Sequence, residues 1–148
     1  MSIYFLDTST FVGAYMDDEE GHDDAIRLLT SGDPLIGSEL VRVEAAAAMR
    51  AAQRAGRVTS DVAADIVAEM ESDTAPGGIV ELIEFDGPTT LRHALQLVLD
   101  HPIYTLDALH LAVADREGRR WVEPHELVFA TVDGRQRETA RALGLAVL

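Results

Sequence analysis

Short apolar runs alternate along this chain with longer stretches in which apolar residues return every three or four positions. Ile3-Tyr4-Phe5-Leu6 is a run of strand type, and Thr8 to Met16 after it has helical character. Asp17 to Asp24 makes an acidic turn around Gly21 and feeds a helix over roughly Asp23 to Ser31. Pro34-Leu35-Ile36 reads as a short buried strand. Ser38 is placed to cap a long helix reaching about Ala55, with Gly56 as its stop. Thr59 or Ser60 opens another helix that ends before Pro76-Gly77-Gly78, and Val80 to Phe85 is a strand. Pro88 starts a helix running to about Leu99. Pro102 breaks the chain, Thr105 caps a helix through about Glu117, and Val128 to Val132 is a strand. Asp133 to Leu143 is helical, Gly144 ends it, and Leu145-Ala146-Val147 is a last short strand.

Strands that alternate with helices, and that lack strict period-2 polarity, indicate an α/β fold with a mostly parallel sheet of about five strands covered on both faces. In such sheets ligands bind beyond the carboxyl ends of the strands. Asp7 and Asp133 both fall at such an end.

The 148 residues suit one domain, spanning 1–148, with room for a real core. With no cysteine, disulfides, thiolate metal sites and Cys nucleophiles are excluded. Every basic residue is Arg. The absence of lysine removes a P-loop and any Schiff-base mechanism. No apolar stretch approaches the roughly 20 residues of a membrane span, and the N-terminus lacks the pattern of a signal peptide, so the cytoplasm is the expected location. A net charge of −14 argues against nonspecific nucleic-acid binding unless several of the acids serve as metal ligands.

Four acids stand where the local pattern wants apolar or neutral residues. Asp7 closes the first strand, Glu44 precedes four consecutive alanines, Asp107 lies between Leu106 and Ala108-Leu109, and Asp133 follows Phe129-Ala130-Thr131-Val132. Each has a structural reading too. Asp133 with Gln136 fits a capping box, Asp107 suits the dipole of a helix first turn, Asp7 can satisfy backbone N–H groups, and Glu44 can face solvent. Jointly they demand more, since two carboxylates about 4 Å apart repel by roughly 4 kcal/mol at an effective dielectric near 20. Oxygen ligands of this kind suit Mg²⁺ or Mn²⁺.

Four blocks carry a resemblance: Phe5-Leu6-Asp7-Thr8-Ser9, Ser38-Glu39-Leu40-Val41-Arg42-Val43-Glu44, Thr105-Leu106-Asp107-Ala108-Leu109-His110-Leu111-Ala112 and Phe129-Ala130-Thr131-Val132-Asp133. In this order and spacing the chain resembles the PIN-domain ribonucleases, most closely the toxin components of VapBC-type toxin–antitoxin pairs. The resemblance covers essentially the whole chain. The connection Arg119 to Leu127 departs from it in being longer than the compact link expected there.

The resemblance implies a three-layer α/β/α fold and Mg²⁺- or Mn²⁺-dependent endonucleolytic cleavage of RNA. Asp7 and Asp107 would bind metal directly. Asp133 and Glu44 would complete the shell, hold a second ion or orient the attacking water. Ser9 and Thr131 would hydrogen-bond to the acids. It further implies a homodimer and an antitoxin whose C-terminal segment covers the acidic cleft, with an arginine reaching Asp7 or Asp107. An RNA-maturation nuclease, or a scaffold that binds a protein without cutting, are the alternative uses of the same fold. A haloacid-dehalogenase phosphatase would need Asp at position 9, which is Ser9, and a phospho-receiver would need a lysine.

His110, one turn from Asp107, reads as a packed or solvated residue, and His22, His93, His101 and His125 lack zinc-site spacing. The run Asp17-Asp18-Glu19-Glu20 reads as a solvated turn. Arg119-Arg120 and Arg135-Arg137 suit RNA phosphates and plain surface solubility about equally. Apolar stripes in Ala25–Leu29, Val62–Met70 and Leu91–Leu99 read as core or dimer interface.

Overall fold

A computed structural model describes all 148 residues, Met1–Leu148. Five strands, β1 (Ser2–Leu6), β2 (Leu35–Ser38), β3 (Val80–Ile83), β4 (Glu126–Ala130) and β5 (Ala146–Val147), form one sheet in the order β3-β2-β1-β4-β5. Every pairing is parallel, with Phe5 opposite Ile36 on one side and Phe129 on the other.

Successive residues of a strand point to opposite faces, and β1 uses both faces. Phe5 joins Ile36 and Phe129 on one face, where α5 (Gly87–Asp100), α6 (Thr105–Val113) and α8 (Gly134–Ala142) contribute Leu97, Leu111 and Ala140. Leu6 turns to the other face, beneath α1 (Thr8–Gly13), α2 (His22–Leu29), α3 (Leu40–Arg54) and α4 (Ser60–Asp73), which supply Phe11, Leu28, Met49 and Met70. The result is a three-layer α/β/α sandwich. The rings of Phe5 and Phe129 stack with centroids 5.6 Å apart, so Phe129→Ala would remove about 3–5 kcal/mol of packing. No helix is long and apolar enough to cross a membrane.

The order of elements matches the sequence expectation, and several ends move for local reasons. The first helix stops at Gly13 because Tyr15 and Met16 return their N–H groups to Val12 and Gly13 in tighter turns. Ser38 belongs to β2, Glu39 takes the cap position of α3, and the Ser38 hydroxyl still accepts from Leu40 N at 3.2 Å. β3 ends at Ile83, short of Phe85, and Asp86 caps α5 through Thr89 N.

β4 runs from Glu126 to Ala130 and does not reach Val132. The Ala130 carbonyl is taken by Asp7 N and by the Thr10 hydroxyl, and Arg137 Nη2 takes the Thr131 carbonyl. The helix expected through Glu117 is α-helical only to Val113. It widens into a π-turn over Ala114–Gly118 and resumes as α7 (Arg119–Val122), absorbing much of the long connection.

Strand order then locates a crevice. From the paired strands β1 and β4 the chain leaves to opposite faces, through α1 and α2 on one side and α8 on the other. Such a switch point leaves a gap beyond the carboxyl ends of the two strands.

Candidate active site

Asp7 is the first residue past β1 and is only 3% exposed. A buried carboxylate needs donors, and it has them. Its Oδ1 accepts from Thr10 N at 2.9 Å, which makes Asp7 the N-cap of α1. Its Oδ2 accepts from the Thr131 hydroxyl at 2.6 Å, and Ser9 Oγ lies 2.9 and 2.8 Å from the two oxygens. The capping role anticipated for Asp7 is therefore real, and it fixes the side chain without using up its lone pairs.

Asp133 likewise caps its helix, with Oδ1 accepting from Gln136 N at 2.8 Å. Thr131 ties the two ends together. Its hydroxyl sits 2.6 Å from Asp7 Oδ2 and 2.8 Å from Gln136 Oε1, and it also accepts from Asp133 N at 3.1 Å. Gln136 is fully buried and extends this chain of contacts to the Asp107 carbonyl at 3.4 Å.

Asp107 sits in the first turn of α6. Burial pushes its carboxyl up to about 6, and the nearby charges of Asp133, Asp7 and Glu44 push the same way against the opposing pull of His110. Burial and nearby like charges both disfavour the ionised carboxylate.

Glu44, on α3, leans on a residue the sequence reading set aside. His110 Nε2 is 2.5 Å from Glu44 Oε1 and 3.1 Å from Thr8 Oγ1, and Nδ1 is 3.3 Å from Ser38 Oγ. The ring is 2% exposed. His110 is thus neither solvated nor merely packed; it joins α6 to the ends of β1 and β2 and to α3. A signal for it existed in Ser38 and Glu44, polar groups on apolar faces that wanted a donor.

All four acids, with Ser9, His110 and Glu19, line one cleft of about 410 Å³ at the switch point. Glu19 was read as part of a solvated turn; Arg57 clamps it at 2.6 Å together with Asp18 at 2.7 Å, which holds that turn at the cleft rim.

No three His, Asp or Glu side chains close tightly enough to cage an ion on their own. The donors are nonetheless carboxylate oxygens, and the one imidazole is committed to Glu44. That set fits Mg²⁺ or Mn²⁺, since Mg²⁺ keeps several waters and uses few protein ligands. It does not fit a closed zinc site.

The four carboxylates of this parallel α/β sandwich gather at its switch point. The sequence matches the model of the PIN domain over residues 4–142, and the chain belongs to that family. No curated protein matches the sequence.

Among solved structures, the fold is similar to that of PAE2754 from Pyrobaculum aerophilum, with a TM-score of 0.67 and 18% identity over 99% of this chain and 83% of that one. It is similar to VapC20 from Mycobacterium tuberculosis, a toxin that cleaves the sarcin–ricin loop, with a TM-score of 0.66 and 20% identity over 97% of this chain and 96% of that one. VapBC2 from Rickettsia felis, solved bound to a DNA fragment from its promoter, gives a TM-score of 0.61 and 15% identity over 99% and 97%.

Proposed function

We propose that residues 1–148 act as a single nuclease domain, a divalent-metal-dependent endoribonuclease that serves as the toxin of a toxin–antitoxin pair in the cytoplasm. The observation that carries this reading is the cleft in which Asp7, Glu44, Asp107 and Asp133 meet and in which Asp107 is held above the ordinary carboxylate range by burial and by the other three.

Asp7 and Asp107 would hold Mg²⁺ or Mn²⁺, with Asp133 and Glu44 completing the shell. When bound, the ion supplies charge neutralisation for the phosphate and a lowered barrier to deprotonating water. The chain does the positioning. Thr10 N, Ser9 and Thr131 fix the Asp7 carboxylate, and a ligand fixed before substrate arrives costs nothing to arrange during reaction. Gln136 N fixes Asp133, and His110 fixes one oxygen of Glu44, leaving Oε2 for the cleft.

The partner reading follows from charge and exposure. An acidic cleft on a chain of net charge −14 suits an antitoxin segment that presents an arginine, whose fork matches a carboxylate. On α5, Leu91, Leu95, Val98 and Leu99 are exposed along one helix, which supports a homodimer that covers them.

Incubation of purified protein with total cellular RNA, with and without Mg²⁺ or Mn²⁺ and beside Asp107→Asn, tests the reading. Discrete metal-dependent fragments that the variant fails to make are expected. Intact RNA under all conditions, from folded protein freed of any partner, would overturn it.

A further inference from the structure

A second cavity, of about 460 Å³, lies behind the acidic cleft on the α2 side of the sheet. The two share one wall, the side chain of Val132. Gly21, just before α2, packs closely there: a Cβ would come within 2.9 Å of Val132 Cγ1. Leu28, Ala25 and Ala130 give the second cavity apolar walls, and Arg137 stands in it with Arg27 and Asp24, which pair with each other.

Arg137 is the one arginine with a buried nitrogen that lacks a hydrogen-bond partner, and like seven others it forms no ion pair. Its Nη2 donates to the Thr131 carbonyl at 2.7 Å, while its Nε is buried with no hydrogen-bond partner. No carboxylate lies within ion-pair distance, although the protein carries 26 acids. A half-buried guanidinium with no counter-ion can still meet an anion through its Nη groups. Arg135, which the sequence places beside it, is already engaged, its guanidinium 5.9 Å over the ring of Tyr104.

We propose that this cavity is a nucleotide subsite: Arg137 binds the phosphate next to the one positioned at the acids, and the apolar walls receive the attached base. The inference rests on the reading of the acidic cleft as an RNA-cleaving site. Continuity favours RNA as the occupant, because Thr131 holds Asp7 with its hydroxyl and Arg137 with its carbonyl, so cation and acids are set by one residue. A strand crossing the Val132 partition meets both. Guanidinium is also the side chain best matched to phosphate.

The test uses the full chain carrying Asp107→Asn, so that RNA is bound without being cut, and a mixed-sequence single-stranded RNA of twelve nucleotides as probe. Adding Arg137→Gln is expected to weaken binding about tenfold and to reduce the slope of log K against log salt by about 0.7, the share of one phosphate contact in a single strand. Arg54→Gln, at the far end of α3, is expected to leave both unchanged. An unchanged slope in the Arg137 variant, or an equal loss in the Arg54 variant, overturns the subsite.

Because Arg137→Gln also removes the bond to Thr131, phenylglyoxal labelling of the wild-type arginines in Ca²⁺, read by mass spectrometry, repeats the test without substitution. Protection of Arg137 by saturating RNA is expected. Equal labelling with and without RNA overturns it. Wild-type protein that cleaves RNA while Arg137 fails both measurements leaves the nuclease standing and removes only the subsite. Protein that neither cleaves nor binds RNA removes both.

Discussion

His110 Nε2 lies 2.5 Å from Glu44 Oε1, across 66 positions of sequence and at the wall of the acidic cleft. An ionised carboxylate only accepts, so Nε2 carries the hydrogen. In the neutral ring Nδ1 then accepts from Ser38 Oγ, which itself accepts from Leu40 N. Ser38 is fully buried, so this is not a nucleophilic triad; it is a relay that ends by orienting Glu44. Glutamine can place an amide N–H where Nε2 sits, whereas asparagine stops near Nδ1. His110→Asn is therefore expected to lose about 10–100-fold in activity or metal affinity, and His110→Gln to retain most of it. Metal titration and single-turnover cleavage check this. If His110→Asn loses as much in a Glu44→Gln background as in the wild type, the two residues do not act together.

Thr131 supplies a second expectation. Thr131→Val keeps the shape but strips Asp7 Oδ2, Gln136 Oε1 and Asp133 N of a shared partner in a buried site. Stranding such groups costs about 1–3 kcal/mol, which lowers Tm by roughly 3–10 °C in a chain of this size. Activity is expected to fall further than stability explains, because Asp7 and Asp133 are both released. Thr131→Ser restores the hydroxyl and is expected to recover both readouts. Thermal unfolding and cleavage assays on the two variants decide it.

The alternation of apolar runs and helical periodicity revealed the parallel sandwich, and the strand ends revealed Asp7 and Asp133, because both are local patterns. Thr131-Val132 continues an apolar run and reads as strand, yet pairing stops at Ala130, since Thr10 and Asp7 reach its carbonyl from the other end of the chain. His110 was hard to read because Glu44 and Ser38, the polar groups that signal it, lie 66 and 72 positions away. Gln136 and Arg137 meet Thr131 only five and six positions away, but those contacts form only because β4 stops at Ala130. The π-turn at Ala114–Gly118 carries no breaker residue before Gly118, and helical periodicity runs through it.

Gly21 offers an expectation about the rim. It holds φ at +81°, where a side chain is strained, and a Cβ there would meet Val132 Cγ1 at 2.9 Å. Gly21→Ala is expected to cost about 1–3 kcal/mol by urea unfolding. Val132→Ala in the same chain removes the clash but not the backbone strain, so the pair is expected to recover part of the loss. Full additivity of the two substitutions would show that the contact between α2 and the partition is not tight.

Asp107 sets the pH behaviour. Its carboxyl is raised from 3.8 to about 6 in the folded protein, chiefly by burial and then by Asp133 and Asp7. Between those two values the folded state holds more protons than the unfolded one, so this group makes stability rise as pH falls. Its penalty is complete above the folded value and gone below the unfolded one. Metal-free wild type is therefore expected to gain stability relative to Asp107→Asn on going from pH 7.5 to pH 4, with the difference between them shrinking through that window. A divalent cation favours the charged form and opposes the trend. At neutral pH, Mg²⁺ at about 100 times its Kd is expected to add roughly 2.7 kcal/mol to the wild type. That gain is expected to fade as pH drops through 6, where protons and metal compete for the same carboxylate. Thermal unfolding of both proteins across pH, with EDTA or Mg²⁺, measures it. A wild-type curve parallel to that of Asp107→Asn, unmoved by Mg²⁺, would mean that Asp107 neither carries the repulsion nor meets the ion.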